Sequence, residues 1–499
     1  MSAENTLTPE PNDFSEQMLV RLDKRAKMLE RGEQAYPVGV ARTHTLEEIR
    51  AKHPALEADT ATGDIVGISA RVVYVRNKGK LCFATLQSGE GTRLQVMLSF
   101  ANVGEEALAD WKSLVDLGDH VFIKGEVISS RTGELSVMAT EWAMASKALR
   151  PLPVLHADLS EEMRVRRRYV DLIVRDKARE QVRMRSAIVK AIRDTLHGED
   201  FIELETPILQ LIHGGASARP FHTHLNAFDQ PMTLRIALEL YLKRAVVGGI
   251  DKVFELGRIF RNEGVDSTHS PEFTMLELYE AYGDQFTMAQ IMQRMILAAA
   301  DAVGSRTITT ERGDINLDGE WPWLPVYQGL SDGVGVEITP ETTAEELRAI
   351  AEKHDVSIDL DWDAEKLVVE LFGEIVEPTI IQPTFICDYP PSAQPLARPH
   401  RDKPNLIEAW DLIIDGTETG TAFSELIDPV IQRERLTRQS LAAAAGDPEA
   451  MQLDEDFLRA LEYGAPPMGG LGLGIDRLVM LFTRVGIREA ILFPLMKPE

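Results

Sequence analysis

The stretch from Phe254 to Tyr282, FELGRIFRNEGVDSTHSPEFTMLELYEAY, constrains this chain more than any other. It reads as an apolar strand ending in a charged pair, a polar loop, and a second amphipathic strand. Val253, Phe254, Leu256, Ile259 and Phe260 supply the apolar face of the first strand. Arg261 and Glu263 sit two apart, so on an extended chain they point the same way. Gly264, Asp266, Ser267, Ser270 and Pro271 break the pattern into a loop. Phe273, Met275, Glu277 and Tyr279 then alternate along one face of the return strand. A guanidinium, acids and rings converging on one surface are poor core material, because buried charge needs a partner. Two readings fit: an exposed, salt-bridged hairpin, or a binding site.

The chain around it has 499 residues, a length that suggests two to four domains. Its 53 basic and 79 acidic residues give a net charge of −26, which argues against a nonspecific nucleic-acid coat but leaves room for a local basic patch. Two cysteines, Cys82 and Cys387, lie far apart without metal-type spacing, as expected in a reducing compartment. No apolar run is long enough to span a membrane, and the first residues lack the pattern of a signal peptide, so a cytoplasmic location is expected.

In chain order, residues 1–13 are polar and expected to be disordered. FSEQMLVRLDKRAKMLERGEQ, from Phe14, has Met18, Leu19, Leu22, Met28 and Leu29 at helical spacing, and Gly32 as a stop. Arg21, Lys24, Arg25, Lys27 and Arg31 fall on the other faces. They make either a solvated helix or one that contacts phosphate. From Asp64 to about Trp142 five short strands alternate with turns, and a helix at about Val103–Val115 separates the third from the fourth. That is the layout of an OB-fold barrel, a fold whose outer face can bind single-stranded nucleic acid. Arg71 and Arg76 lie on the first strand, Phe83 on the second and Gln95 on the third. Spacing alone leaves Phe83 either in the barrel core or on the outer face.

A Pro-containing linker at 147–161 ends the first domain, residues 14–146, and a second domain runs over 162–499. Its long amphipathic helix, Ala178 to Leu196, has Val182, Met184, Ile188, Ile192 and Leu196 on the apolar side and leads into the strand FIELETP. GGASARPF at Gly214–Phe221 permits close backbone approach to a ligand. Met232 to Arg244 reads as a strand turning into a helix near Glu239. IEAWDLIIDGTETGTAFSELIDP forms a second hairpin, with Asp411 and Glu418 flanking the turn at Asp415–Gly416. Across such a hairpin two carboxylates can face each other and grip a cation, and oxygen donors suit magnesium. GLGLGIDRLVMLFT, from Gly470, is a Gly-rich strand feeding a helix whose first turn carries Arg477, near the helix end that favours phosphate.

FRNEG, the loop holding His269, and PEFTMLELY together resemble motif 2 of the class II aminoacyl-tRNA synthetases, with wording closest to the lysyl-tRNA synthetases. The long helix with FIELETP resembles motif 1, and GLGLGIDRL resembles motif 3. The likeness spans nearly the whole chain. It implies an α+β fold: an N-terminal OB-fold anticodon-binding barrel, then an antiparallel sheet flanked by helices. It implies a homodimer built on motif 1, although the periodicity fits equally a helix packed on its own sheet. The implied activity is ligation of lysine to lysine tRNA, through lysyl-adenylate made from lysine and ATP, with Mg2+ as cofactor.

The same resemblance implies roles for individual residues. Arg261 would touch the lysine carboxylate and the α-phosphate, and Arg477 the γ-phosphate side and the adenine. Phe273 would stack under adenine, Glu263 would meet its amino group, and His269 would meet the leaving phosphates. Glu239 and the Gly215 carbonyl would take the α-amino group. Glu425 and Tyr279 would lie at the ε-amino end with Glu277 behind them, and Thr421 and Phe423 would complete the lysine site. Asp411 and Glu418 would hold the metal. On the barrel, Phe83 would stack on an anticodon base, with Arg71 and Gln95 reading base edges. Five positions depart from the family pattern: Leu238 replaces a proline, Ser270 an asparagine, Thr421-Ala422 an asparagine-glycine pair, and Asp411 a glutamate. Carboxylates at the side-chain end favour lysine over the aspartyl and asparaginyl siblings, which would want a cation or amide there. A paralogue lysylating another acceptor and a catalytically silent RNA-binding protein are the competing readings.

Overall fold

The computed structural model describes residues 15–153, 159–266, 268–444 and 451–498. The expected disorder of residues 1–13 and the loop role of Ser267 lie outside these residues. The chain divides into two compact units, Met1–Arg179 and Glu180–Glu499. Residues 162–179, which the sequence groups with the second domain, thus fall with the first unit. There Gln87 Nε2 donates to Ile173 O at 2.8 Å, and Arg179 donates to the carbonyls of Leu172 and Ile173.

The first unit opens with the helix Glu16–Glu30, started by Ser15, whose hydroxyl accepts from Met18 N–H. It buries Met18, Arg21 and Met28, whereas Leu19 and Leu29 are exposed. The basic run is spent inside the chain. Arg21 donates to the carbonyls of Ala148 and Arg150, Lys24 pairs with Asp116, Lys27 with Asp23 and Arg31 with Asp110. This pairing disfavours a row of free phosphate contacts. Five strands, Ala61–Lys78, Leu81–Gln87, Arg93–Ser99, His120–Ser129 and Leu135–Ser146, close a barrel in the order first, second, third, fifth, fourth. The expected single helix between the third and fourth strands is two, Phe100–Val103 and Glu105–Leu114, because Gly104 at φ +86° interrupts it.

The second unit is built on an eight-stranded sheet. Its strands run in the order Trp323–Pro325, Thr384–Cys387, Ala409–Ile414, Thr417–Ser424, Met468–Gly474, Glu272–Ala281, Lys252–Phe260 and Ile202–Glu203. The middle is antiparallel, and the pairs at both edges are parallel. The expected strand FIELETP shrinks to Ile202–Glu203 at one edge.

The Phe254–Tyr282 hairpin lies inside this sheet with both faces covered. Phe254, Leu276 and Leu278 pack in the main core with Ile188, Ile192 and Met292. Val253, Ile259 and Tyr279 pack on the opposite face with Leu242. The single apolar face expected of its first strand is therefore two faces, as a strand buried on both sides requires. Val182, expected on the buried side of the long helix Asp176–Gly198, is exposed. The helix Gln285–Val303 begins at Asp284, which accepts from Phe286 and Thr287 N–H, and ends at Gly304 in the left-handed conformation. Among the described residues no helix is long and apolar enough to cross a membrane.

Candidate functional site

The return strand of the hairpin turns Phe273, Met275, Glu277 and Tyr279 to one side, where two cavities adjoin. One is lined by Arg261, Glu263, His269, Phe273, Glu418 and Arg477. The other is lined by Gly215, Glu239, Glu277, Tyr279, Phe423 and Glu425, and again by Arg261. Thr421 and Glu418 border both. Residues spread over more than 250 positions of sequence, from Gly215 to Arg477, are thus brought together.

In the first cavity the Arg261 guanidinium lies over the Phe273 ring, 5.3 Å from its centroid, and its Nε donates to Ile236 O at 3.3 Å. Burial pulls the Arg261 pKa down, while Glu263, Glu418 and Glu277 oppose that shift. Glu263 accepts from Arg219 N–H at 3.1 Å. Asp266 organises the loop. Its carboxylate accepts from the N–H groups of Thr268 and His269 and lies 2.9 Å from His269 Nδ1, and these contacts hold its pKa well below the usual range. Ser270, one of the departures, closes the turn by donating to Glu272 O.

Opposite, the helix Ile475–Thr483 starts at Gly474 with no side-chain cap. Its Arg477 donates to Glu418 O at 2.7 Å and lies 3.6 Å from Glu418 Oε2. Asp476, beside it in the cavity lining, is held by the protein, accepting from Thr274 N–H and pairing with Arg185 at 2.5 Å. The cavity therefore offers two guanidiniums, an aromatic face and a helix start to an anionic, planar ligand.

The second cavity is acidic and buried. Glu277 is held at both oxygens: Oε1 accepts from Leu238 N–H at 2.9 Å, and Oε2 from the Tyr279 hydroxyl at 3.1 Å. The Leu238 departure thus supplies an N–H that proline lacks. Desolvation and the charge of Glu239 push Glu277 up to about 7. Glu425 is pushed up to about 8 by desolvation, against the pull of Lys243. Gly215, at φ +88°, leaves no room for a side chain, since a Cβ there would stand 3.0 Å from Ala237 Cβ and 3.1 Å from Glu239 Cβ. A Cβ on Gly470 would stand 2.2 Å from Glu425 Oε1 and 2.3 Å from a Tyr279 ring carbon.

Sequence reasoning missed Lys243. Its side chain is 1% exposed, and its ammonium lies 2.5 Å from Glu239 Oε1 and 2.5 Å from Glu425 Oε2. In a strand-to-helix reading it was one cation among several. The available signal was its spacing, one helical turn after Glu239. Arg235 was missed too. It pairs with Glu255 at 2.6 Å and reaches Thr206, behind the pocket wall.

The two carboxylates expected to share a cation do not stand opposite each other. The two-residue turn at Asp415–Gly416 sets Glu418 across from Ile413, and a register shift between Leu412 and Ile413 sets Asp411 across from Thr421. Asp411 and Thr421, both departures from the family pattern, are therefore cross-strand partners. Asp411 is pushed up to about 7 by desolvation and by Glu418, while hydrogen bonds from Thr421 and Tyr389 oppose the shift. Among the described residues no group of three or more metal-binding side chains is placed to hold an ion. Two mutually repelling carboxylates, one exposed beside the first cavity, still fit a magnesium ion that takes its remaining oxygens from phosphates and water. Glu377, also pushed up to about 7 by burial and by Glu418, adds to this acidity and was missed. Ala422 borders the second cavity while packing in the core with Trp410 and Leu471.

On the barrel, alternation along Leu81–Gln87 buries Cys82, Ala84 and Leu86 and turns Phe83 outward. Phe83 pairs with Arg76 on one side and Met97 on the other, and Thr85 pairs with Tyr74 and Gln95. Tyr74 is 54% exposed on this face and was missed. Gln95 donates to Ser136 Oγ at 2.9 Å. Arg71 donates to Gly118 O at 2.9 Å, and burial lowers its pKa, so part of its capacity is already used within the barrel.

Residues 160–497 match the family described as tRNA synthetases class II (D, K and N), and residues 65–145 match the OB-fold nucleic acid binding domain. The chain is 55% identical over 490 residues to a lysine--tRNA ligase of Kineococcus radiotolerans, covering 98% of each. It is 56% identical over 491 residues to one of Mycolicibacterium gilvum, again covering 98% of each. It is also 47% identical over 490 residues to a lysylphosphatidylglycerol biosynthesis bifunctional protein of Gordonia bronchialis, covering 97% of this chain and 42% of that one.

Proposed function

The chain belongs to the class II tRNA synthetases, among their lysine--tRNA ligases, and from that premise we propose how its cleft activates lysine. One observation carries the proposal: the Arg261 guanidinium lines both cavities. Lysine fills the acidic cavity and presents its carboxylate to Arg261. ATP fills the adjoining cavity and presents its α-phosphate to the same guanidinium. The carboxylate is already ionised at neutral pH, so no general base is needed. A carboxylate oxygen bonds to the α-phosphorus as the bond to the pyrophosphate oxygen breaks, and Arg261 neutralises charge on both reactants.

Around that centre, Phe273 stacks on adenine, Glu263 meets its amino group, and Arg477 covers the other face and the γ-phosphate side. His269 meets the departing phosphates. Glu239 and the Gly215 carbonyl take the α-amino group. Glu425 and Tyr279 take the ε-ammonium, Glu277 braces Tyr279 from behind, and Thr421 and Phe423 complete the wall. Asp411 and Glu418 would hold magnesium, which when bound neutralises phosphate charge. In the second step the 3′-terminal hydroxyl of lysine tRNA attacks the activated carbonyl and AMP leaves. We assign the outward face of Phe83, with Arg71 and Gln95, to anticodon bases.

A homodimer is supported by exposed apolar side chains in the strand of motif 1 and just after it: Ile202, Ile208, Leu209, Leu211 and Phe228. Light scattering should return twice the chain mass. Buried free Cys82 and Cys387 are consistent with a cytoplasmic setting.

The test is lysine-dependent ATP–pyrophosphate exchange. Glu425→Gln should raise the KM for lysine by about 30-fold or more, the cost of removing one partner of a buried charge pair, and leave the KM for ATP near its original value. Equal losses for both substrates would overturn the pocket assignment. A second reading, lysylation of another acceptor, is favoured by the likeness to the Gordonia bronchialis protein. Charging of lysine tRNA by the purified chain decides against it, and exchange without charging decides for it.

A further inference from the structure

The lysine pocket already contains an ammonium. Lys243 is one helical turn after Glu239 and buried among groups of the pocket wall. Its Nζ touches Glu239 Oε1 and Glu425 Oε2, each at 2.5 Å, and lies 5.7 Å from the centroid of the Tyr279 ring. In the proposed reading Glu239 receives the α-amino group of lysine and Glu425 its ε-ammonium. One internal cation therefore joins the two carboxylates that are to receive the two ends of the substrate. Glu425 Oε2, despite that contact, receives no well-directed hydrogen bond from the protein. A buried carboxylate oxygen in that state still favours a further donor.

Charge in the pocket points the same way. Three buried carboxylates, Glu239, Glu277 and Glu425, stand against Lys243 and Arg261, which leaves one negative charge once all three acids are ionised, the state that an incoming ammonium favours. Glu418 is at the cavity edge, exposed and beside Arg477. Lysine carries two ammonium groups and one carboxylate, one net positive charge. A neutral side chain would leave the surplus charge buried and unbalanced. Without Lys243 the three acids would repel one another more strongly and hold protons to higher pH.

We propose that Lys243 is a positioning and specificity-determining residue, an internal ammonium that favours the ionised forms of Glu239 and Glu425 and fixes them relative to each other so that the pocket admits one further unit of positive charge. The proposal rests on the reading that Glu239 and Glu425 bind the two amino groups of lysine. Glu425 is faced by Lys243 and Glu239 from the helix Glu239–Val247 and by Glu277 and Tyr279 from the return strand. Of these only Lys243 favours its ionised form. Removing that cation raises the pKa of Glu425, so a higher pH is needed to ionise it.

The test compares Lys243→Met, Lys243→Arg and Glu425→Gln with the unaltered protein. The assay is ATP–pyrophosphate exchange from pH 6 to 9, with lysine and with 6-hydroxynorleucine, its uncharged analogue. Thermal unfolding and the KM for ATP monitor folding. Lys243→Met should lower kcat/KM for lysine by about 100-fold, mainly through KM. It should also shift the acid limb of the lysine profile to higher pH by about one unit or more and shrink the preference for lysine over the analogue. Lys243→Arg should return the acid limb part of the way. The proposal is overturned if Lys243→Met leaves the limb and the preference unchanged, or if activity with both substrates falls equally. If Glu425→Gln abolishes the preference and Lys243→Met does not, the pocket reading stands and the role of Lys243 falls. If neither moves it, both fall. Should Lys243→Met not fold, Lys243→Gln is judged by the same two readouts.

Discussion

The two cavities that meet at Arg261 are built on different principles. The acidic cavity, the proposed lysine end, is lined by strands and a helix start, and its buried acids have protein contacts before any ligand arrives: Glu277 at both oxygens, Glu239 and Glu425 through one ammonium. The nucleotide end is walled partly by the loop after Phe260, and its charged groups Glu263, His269 and Glu418 are exposed or held by single contacts. In the proposed reading the difference follows the ligands. A small amino acid distinguished by one ammonium needs a rigid complement fixed beforehand. A triphosphate brings much charge and a metal of its own, so its site can be completed on binding.

The largest expected effect falls where the two ends join. Arg261→Ala should lower kcat/KM for exchange by about 3–4 kcal/mol, because the lost contact forms most strongly as charge shifts at phosphorus. The loss should appear with either substrate varied. A loss confined to ATP would break the idea that one guanidinium serves both cavities. Next comes Gly470→Ala, which places a methyl against Glu425 and Tyr279. Overpacking of this kind costs about 1–3 kcal/mol, and it should appear in the KM for lysine with ATP binding unchanged. A pocket that absorbed the methyl would be less rigid than argued here. The smallest effect at this cleft should come from Phe83→Ala, none at all in exchange. In tRNA charging it should raise the KM for tRNA by the equivalent of about 1–3 kcal/mol for one lost stacked base.

The lining of the first cavity was legible in the sequence because its residues are local. Arg261, Glu263, His269 and Phe273 fall within one hairpin, and Arg477 follows a Gly-rich strand in a helix's first turn. The lysine end was legible only in part. Glu239, Glu277 and Glu425 come from three elements, and a list of acids does not say what neutralises them. Lys243 read as one of several cations on a helix, because periodicity does not distinguish a lysine at the protein's centre from one in water. The facing of Asp411 and Glu418 was misread for a simpler reason: a two-residue turn at Asp415–Gly416 pairs Glu418 with Ile413, and even a regular ladder would set Asp411 beyond Glu418, to which the shift at Leu412 adds one more residue. In the barrel, strand alternation did contain the answer for Phe83, once the neighbours Cys82 and Ala84 are fixed as core.

The amide of Leu238 has a consequence for how this pocket can change over time. It anchors Glu277 through the main chain, so any residue with a backbone N–H at that position preserves the anchor, whatever its side chain. Only a pyrrolidine ring deletes it. The hydrogen bond thus closes the position to one residue type, while burial with Leu242, Val253 and Ile259 limits the others to apolar side chains of similar size: a lineage that relies on this amide cannot adopt proline without first finding Glu277 another donor.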